Sequence, residues 1–347
     1  MIYSHLGNTN IKVSKICLGT MTFGEQNSEN DAHEQLSYSL DNGVNFIDTA
    51  EMYPVPPKVE TQGLTEKYIG TWLKKNKCRN KVIIASKVTG PAPDFSYIRN
   101  PLGIDKKNIE EAIVGNLKRL GTDYIDLYQI HWPQRQTNYF GQLNYKYNKD
   151  NINEILDNIN ESYNTLNNLV ASGKIRSIGL SNDTSWGLMK FLELAKDKSF
   201  SRIVSVQNPY SLLNRLYEIN MAEISKIENI GLLAYSPLGF GVLTGKYVKK
   251  FPKNSRLSLW NRFTRYSNEN SKKATLEYIK LANAFNISPT QLALAFVNQQ
   301  PFVTSNIIGA TNLSQLKENI KSIDIKLNDE ILSKIEFIHT KYPNPAP

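Results

Sequence analysis

Short apolar runs rich in β-branched residues alternate along the chain with longer segments of helical periodicity. Several of the helical segments are followed by glycine, at Gly43, Gly121 and Gly173, the residue that commonly closes a helix. Strict alternation of strands and helices is typical of a parallel sheet. Eight such units favour a closed (β/α)8 TIM barrel over an open doubly wound sheet. The eight strand-like runs are KICLGTM, NFIDTA, KVIIASKV, IDLYQIHW, IRSIGLS, RIVSVQN, GLLAYSP and NIIGAT.

The segments outside this alternation have predictable places on a barrel. The residues up to Val13 predict a short hairpin, which we expect to cover the bottom of the barrel. Long connections follow the third, fourth and seventh strands, over residues 89–107, 133–151 and 238–271. They therefore lie at the C-terminal face, where such barrels carry their active sites. We expect the final PNPAP to be an irregular tail reaching the same face. No interdomain linker is visible, which predicts one domain over residues 1–347.

Composition narrows the class of protein. A chain of 347 residues with 40% hydrophobic content can bury a large core. Cys17 and Cys78 are its only cysteines, too few for a disulfide scaffold, and no Cys/His cluster has the spacing of a metal site. We find no secretory signal and no apolar run near the ~20 residues of a membrane span. We expect a soluble, cytoplasmic protein without a membrane partner.

The net charge of +9 is a weak guide to a partner. The lysines are scattered, and no basic stripe is interleaved with aromatic residues, so we expect no nucleic-acid partner. Neither a heptad repeat nor an exposed apolar helix decides the oligomeric state, and a homo-oligomer stays open.

Candidate chemistry lies at the ends of the second, third and fourth strands. Alternation along each strand places Asp48, Lys87 and His131 at the C-terminal rim, and Tyr53 follows just beyond the first of them. Singly, each has an ordinary structural explanation: a turn cap, a solvated lysine, a packing tyrosine or a core histidine. Their convergence on one rim indicates a site instead, because a buried Asp requires a cationic or hydrogen-bond-donating partner.

These four residues and their surroundings resemble the aldo-keto reductases, whose catalytic tetrad is Asp, Tyr, Lys and His. The resemblance covers almost the whole chain. The segments GTMTFGEQNSENDAH, AEMYPVPP, HWPQRQTNYFG and QNPYSLLNR are similar to the bacterial Tas-type branch, which is related to the potassium-channel β-subunits. It implies an NADP(H)-dependent oxidoreductase that reduces an aldehyde or ketone to an alcohol by hydride transfer.

The resemblance assigns a role to each member of the tetrad. Tyr53 donates the proton, and Lys87 should lower the pKa of this phenol from its usual value of about 10. Asp48 pairs with Lys87 and holds it in place. His131 orients the substrate oxygen and assists its protonation.

The cofactor implied is NADPH/NADP+, although no G-x-G-x-x-G motif follows any strand. The resemblance assigns the nicotinamide carboxamide to Ser181, Asn182 and Gln207, and stacking on the ring to Tyr235. The pyrophosphate would meet the segment 236–243, mainly through backbone amides. The residues assigned there are Ser236, Pro237, Leu238, Gly239, Gly241 and Leu243.

Positive charge and a helix N-terminus complete the implied cofactor site. Lys246 and Arg256 add charge, and Arg256 is the best candidate for a bidentate contact to the 2′-phosphate. Asn312 is a plausible N-cap for a helix that follows the eighth strand. Thr311 stands uncharged where many relatives carry Lys or Arg, so this loop does not secure a preference for NADPH over NADH. Gly309 leads into this helix, and the resemblance places Thr311 and Gln315 near the 2′-phosphate and Glu318 and Asn319 near adenine.

The small carbonyl substrate would meet an apolar, aromatic-tolerant pocket, for which the candidate walls are Phe23, Trp132, Tyr139 and Phe140. Its identity is not readable from the sequence. Two other functions stay open. One is an NADP(H)-binding, redox-sensing regulatory subunit with slow turnover. The other, more remote, is a phosphate-binding barrel isomerase without nicotinamide, which explains neither Tyr53 nor Tyr235.

Overall fold

A computed structural model describes residues 1–146, 151–249 and 251–347. Its strands begin with a two-stranded antiparallel hairpin of β1 and β2, followed by eight strands that close into a barrel. Their bounds are β1 Tyr3–His5, β2 Lys12–Ser14, β3 Ile16–Gly19, β4 Phe46–Asp48, β5 Ile83–Val88, β6 Leu127–Ile130, β7 Ile178–Ser181, β8 Ile203–Pro209, β9 Gly231–Tyr235 and β10 Val303–Ile308.

Helices follow the barrel strands and pack around them. They are α1 Glu29–Asp41, α2 Leu64–Asn76, α3 Lys106–Leu120, α4 Ile152–Ala171, α5 Ser185–Lys198, α6 Tyr217–Ile227, α7 Lys246–Lys249, α8 Arg256–Leu259, α9 Glu269–Ala284, α10 Pro289–Gln299, α11 Leu313–Lys321 and α12 Asp329–Lys341.

The barrel strands pair in parallel in chain order, and β10 closes the ring against β3. This confirms the predicted (β/α)8 TIM barrel, and each strand overlaps its predicted segment, although β8 runs one residue further, to Pro209, and β10 begins three residues earlier, at Val303. Gly43, Gly121 and Gly173 each have positive φ within two residues of a helix end, a backbone conformation that favours glycine.

The N-terminal hairpin covers the bottom of the barrel, as predicted. Leu6, Ile11 and Val13 are buried and pack in one cluster with the inward-facing residues of the strands. Cys17 and Phe46 belong to that cluster. Apolar side chains therefore fill the lower part of the barrel interior, and polar residues occupy only the part above them.

The C-terminal face carries the three long connections and the tail, as predicted. Residues 147–150 of the second connection lie outside the described residues. The tail docks through its carbonyl groups and amides: Asn268 Nδ2 donates to the Pro345 carbonyl at 2.7 Å, and the Ala346 amide donates to Leu213 at 3.0 Å. Arg265 Nε donates to the Pro347 carbonyl at 3.0 Å. In the part of the chain that the structure describes, no helix has both the length and the apolar character to cross a bilayer.

Lys15, between the hairpin and β3, gives stability a pH dependence at the bottom of the barrel. Its ammonium donates to the carbonyl of Val303, and burial lowers the pKa of Lys15 to about 8. Between that value and the unfolded pKa of about 10.4, the unfolded chain binds more protons than the folded chain. Lys15 therefore makes the free energy of unfolding rise with pH across this window.

We expect Lys15→Met to remove that rise. The measurement is urea unfolding from about pH 8 to about pH 10, where the slope of the difference between the proteins isolates this one group. Lys12→Met, which changes an exposed lysine of the same hairpin, is the control. A rise of equal steepness in the wild type and Lys15→Met would show that Lys15 is not its source.

Candidate functional site

A cavity of about 1190 Å³ opens at the C-terminal ends of the barrel strands. Asp48, Tyr53 and His131 line it, and Lys87 lies fully buried beneath them. The structure thus brings together the four ionisable residues that lie at the end of β4, near the end of β5, just after β6 and in the turn after β4. The strands explain this, because Asp48 is the last residue of β4 and Lys87 the penultimate residue of β5.

A buried ion pair forms the floor of the cavity. Lys87 Nζ donates to Asp48 Oδ2 at 2.7 Å and to the Thr49 carbonyl at 2.8 Å. The other carboxylate oxygen, Oδ1, accepts from Gln207 Nε2 at 2.7 Å and lies 3.5 Å from Gln129 Nε2. The pair is satisfied on both sides, which is the condition under which a buried salt bridge is tolerated.

Tyr53 keeps its proton. Burial raises the pKa of the Tyr53 phenol well above its ordinary value, and the Asp48 carboxylate raises it further, while Arg256 acts in the opposite direction. The expectation that Lys87 brings the pKa of Tyr53 below its ordinary value is wrong, because burial and the Asp48 carboxylate outweigh any effect of the ammonium. The Lys87 ammonium lies 5.0 Å from the Tyr53 ring centroid, but its charge is compensated by Asp48. Tyr53 is therefore a protonated donor at neutral pH.

His131 is neutral. Burial lowers the pKa of its imidazole well below the ordinary value, and the Lys87 charge lowers it further. Its ring lies edge-on to Tyr53, with 5.8 Å between the ring centroids. The ring nitrogen Nδ1 is buried and has no hydrogen-bond partner within the described residues. A neutral imidazole beside a protonated phenol can orient an oxygen acceptor without competing as a base.

The residues predicted to hold a carboxamide form a hydrogen-bonded chain next to this centre. Tyr235 OH donates to Asn182 Oδ1 at 2.7 Å, and Asn182 Nδ2 donates to the His131 carbonyl at 2.9 Å. Ser181 Oγ donates to the Gln207 carbonyl at 2.9 Å. Asn182 has φ of 54°, a left-handed conformation that is uncommon for a residue with a side chain and often marks a functional turn.

Most of the other predicted cofactor residues line the cavity. They are Ser236, Pro237, Leu238, Gly241, Lys246, Arg256, Gly309, Thr311, Gln315, Glu318 and Asn319.

Two members of the predicted pyrophosphate segment do not line the cavity. Gly239 faces the Tyr266 ring, and Leu243 is buried. The amides of Gly239, Gly241 and Leu243 donate instead to carbonyls of their own turn, at Ser236 and Leu238. The expectation that these three amides contact a phosphate is therefore corrected, because the short helical turn over 239–244 already uses them.

The start of α11 is built as an anion-compatible helix terminus. Asn312 is its N-cap, as predicted, and accepts from the Gln315 amide at 3.0 Å. Gln315 Oε1 in turn accepts from the Thr311 amide at 3.0 Å. A Cβ on Gly309 would meet no atom within 4 Å, so a ligand can approach the backbone there. Glu318 Oε1 accepts from Ser288 Oγ at 2.7 Å.

The cavity is electropositive. Lys246, Arg256, Arg262 and Arg265 line it, and within the described residues none of them forms an ion pair with an Asp or Glu. The guanidinium of Arg256 lies over the rings of Phe240 and Phe263, at 5.3 and 5.4 Å from their centroids. The site therefore suits a polyanionic cofactor such as a dinucleotide phosphate. It offers four cations without an acidic partner, a helix N-terminus, and a glycine whose backbone a ligand can approach.

Aromatic rings form one wall of the cavity. Trp132, Tyr139 and Phe140 line it as predicted, with centroid separations of 5.5 Å for Trp132–Phe140 and 5.1 Å for Tyr139–Phe140. The expectation for Phe23 is wrong, because its side chain is fully buried in the core and does not line the cavity. Hydrophobicity on a rim loop does not distinguish a ring that faces the cavity from one that anchors the loop.

Several residues of the site were missed from the sequence. Gln129 shares the inward face of β6 with His131, so strand alternation could have identified it as a partner of Asp48. Arg262 and Arg265 lie in the long connection after β9, which has no periodicity to orient them. Glu51 and Arg99 form a buried ion pair beside the tetrad, and no spacing rule joins them.

Comparisons with known proteins agree with this geometry. The model of the Aldo/keto reductase family matches residues 15–339. The chain is 51% identical to Protein tas of Escherichia coli (strain K12) over the whole length of both chains. It is 34% identical to Uncharacterized oxidoreductase YrpG of Bacillus subtilis (strain 168), over 100% of this chain and 97% of the relative. A Probable voltage-gated potassium channel subunit beta of Oryza sativa subsp. japonica is 29% identical, over 99% and 98% respectively.

Proposed function

This chain belongs to the aldo/keto reductase family, and on that premise we propose that it reduces an aldehyde or ketone to an alcohol with NADPH, using Tyr53 as the proton donor. The observation that carries the proposal is the protonated Tyr53 beside a compensated Lys87–Asp48 pair and a neutral His131, all at one end of a cationic cavity. Family membership leaves the isomerase alternative without support.

The residues of the chain divide the work as follows. When bound, NADPH supplies the hydride that is added to the carbonyl carbon. Tyr53 gives its proton to the carbonyl oxygen, and the neutral His131 donates a hydrogen bond that orients this oxygen. The Lys87 ammonium, held in place by Asp48, lies beside Tyr53 and stabilises the negative charge that forms on the phenol. The tetrad thus protonates the carbonyl oxygen of the substrate as negative charge develops on that oxygen.

The cofactor would lie along the cavity from the tetrad to α11. Ser181, Asn182 and Gln207 would meet the carboxamide, and Tyr235 would stack on the nicotinamide ring. Gln207 already donates to Asp48 through Nε2, which leaves Oε1 to accept from the amide of the cofactor. Arg256 would bind the 2′-phosphate, and the N-terminus of α11 supports the same end of the molecule.

We expect Arg256→Ala to weaken NADPH far more than NADH. Charge-assisted hydrogen bonds contribute about 1.5–3 kcal/mol, so the dissociation constant for NADPH should rise roughly 10- to 100-fold. That for NADH should change only a few-fold. Quenching of tryptophan fluorescence measures both. Arg262→Ala removes another cavity cation and controls for a general loss of positive charge. Equal losses of affinity for the two cofactors in Arg256→Ala would show that Arg256 does not bind the 2′-phosphate.

A redox-sensing regulatory subunit remains the second candidate, favoured by the full-length similarity to a probable potassium channel subunit beta. The tetrad does not separate the two functions. Turnover does: we expect the purified protein to oxidise NADPH in the presence of a reactive aromatic aldehyde, followed as loss of NADPH absorbance. NADPH binding without turnover would favour the regulatory subunit.

A further inference from the structure

Glu51 is a buried carboxylate inside the segment that carries Asp48 and Tyr53. It is 2% exposed, and the side chain of Arg99 is 11% exposed. The two form a bidentate ion pair, in which Arg99 Nη1 donates to Oε1 and Nη2 donates to Oε2 at 3.1 Å. Glu51 Oε2 also accepts from the Thr89 amide at 3.0 Å. One carboxylate in the turn after β4 therefore contacts the connection after β5 twice, at its first residue Thr89 and at Arg99.

Arg99 is fixed on its other side by the start of α3. Its Nε donates to Asn108 Oδ1 at 2.9 Å, and Asn108 Nδ2 donates to Asp105 Oδ2 at 2.7 Å. Asp105 is the N-cap of α3. The guanidinium thus bridges two rigid elements across an irregular loop, and its planar fork permits only one geometry for that bridge.

The loop held in this way carries part of the substrate end of the cavity. Pro91, Ala92 and Phe95 line the cavity, as do Trp132 and Tyr139 of the aromatic wall. Ala92 and Phe95 pack with Trp132 in one apolar cluster, and Trp132 Nε1 donates to the Pro91 carbonyl at 3.1 Å. A Cβ on Gly90 would collide with the Trp132 indole, so the loop backbone passes the ring too closely for a side chain at this position.

We propose that Arg99 is a positioning residue that, through its pair with Glu51, sets Phe95 as the second aromatic wall of the substrate pocket and thereby selects flat aromatic carbonyl compounds over short aliphatic ones. The inference rests on the proposed carbonyl reductase function. Phe95 comes from the connection after β5, whereas Trp132 and Tyr139 come from the connection after β6. An aromatic substrate contacts rings from both loops, and a short aliphatic aldehyde is too small to use the second one.

The test compares 4-nitrobenzaldehyde with propanal in the wild type and in Arg99→Met. We expect the KM for the aromatic aldehyde to rise about tenfold, the size of a lost ring contact, with kcat within about twofold. The KM for propanal and the affinity for NADPH should stay within about twofold. Arg99→Lys keeps the charge but not the fork, and it should recover part of the aromatic preference.

A matched control lies at the opposite end of the barrel. Arg79→Met breaks another ion pair to a buried carboxylate, in which Arg79 Nη2 donates to Asp126 Oδ2 at 2.7 Å and Arg176 remains as a second partner of Asp126, and neither arginine lines the cavity. It should leave the ratio of the two KM values unchanged. Should Arg99→Met unfold because Glu51 is left unpaired, the double variant Glu51→Gln/Arg99→Met removes both charges and is read in the same way.

Hydrogen exchange separates this inference from the proposed function. In Arg99→Met, amides over 91–98 should exchange faster than in the wild type and in Arg79→Met, whether or not the protein turns over. A wild type without turnover would defeat the reductase proposal, while faster exchange would still support the role of Arg99 in holding the loop. Equal changes for both aldehydes, or unchanged exchange over 91–98, would overturn the inference.

Discussion

Tyr53→Phe should nearly abolish carbonyl reduction while leaving NADPH affinity within a few-fold. General-acid catalysis contributes about 10²- to 10⁴-fold, so turnover should fall by at least that order. The substitution removes only the hydroxyl. The ring keeps its packing against the apolar cluster of Trp132 and its edge contact with His131. Because the pKa of Tyr53 is raised by burial and by Asp48, the hydroxyl carries a transferable proton throughout the neutral range.

The measurement is NADPH oxidation with a reactive aromatic aldehyde, in parallel with tryptophan quenching by NADPH. Tyr139→Phe is the matched control, since it removes a hydroxyl from another tyrosine that lines the same cavity. Loss of turnover in Tyr53→Phe alone would identify the acid. Retained turnover would remove Tyr53 from that role and pass it to His131 or to solvent.

Strand alternation explains why the tetrad could be predicted from the sequence. Asp48, Lys87 and His131 lie at or just after the ends of strands, and a parallel barrel brings all strand ends to one rim. The same argument extends to Gln129, whose parity with His131 was visible. Residues on regular elements are thus positioned by the fold alone.

Loop residues are not positioned in this way. Phe23 was expected in the pocket and is core, and the amides of Gly239, Gly241 and Leu243 close their own turn. Whether a loop ring or amide faces a cavity depends on hydrogen bonds within the loop, which residue type does not specify.

Charge compensation is equally invisible in the sequence. The structure brings the four residues predicted for the tetrad together, yet the predicted direction of the Tyr53 pKa shift was wrong. Lys87 alone would lower it, but Asp48 lies close enough to Lys87 to cancel that charge, and burial then dominates. Geometry at the scale of a few ångströms decides which of the three effects wins.

Lys87→Met should separate the structural role of the buried pair from its catalytic role. The variant leaves the Asp48 carboxylate buried without its cation. Breaking a buried pair in this way costs about 3–5 kcal/mol in the free energy of unfolding. Gln207, at 2.7 Å from Oδ1, still donates to the carboxylate, so we expect a loss near the lower end of that range. Turnover should be lost as well, because the ammonium that lies beside the Tyr53 ring no longer stabilises the charge that forms on the phenol.

The double variant Asp48→Asn/Lys87→Met distinguishes the two effects. It leaves no unpaired charge, so its free energy of unfolding should recover most of the loss, as measured by urea denaturation. Its turnover should stay as low as that of Lys87→Met, because the ammonium beside Tyr53 is still absent. Recovery of stability without recovery of turnover would show that Lys87 acts on the reacting phenol beyond neutralising Asp48. Recovery of both would reduce the pair to a structural support, and chemistry at Tyr53 would then depend on burial and His131 alone.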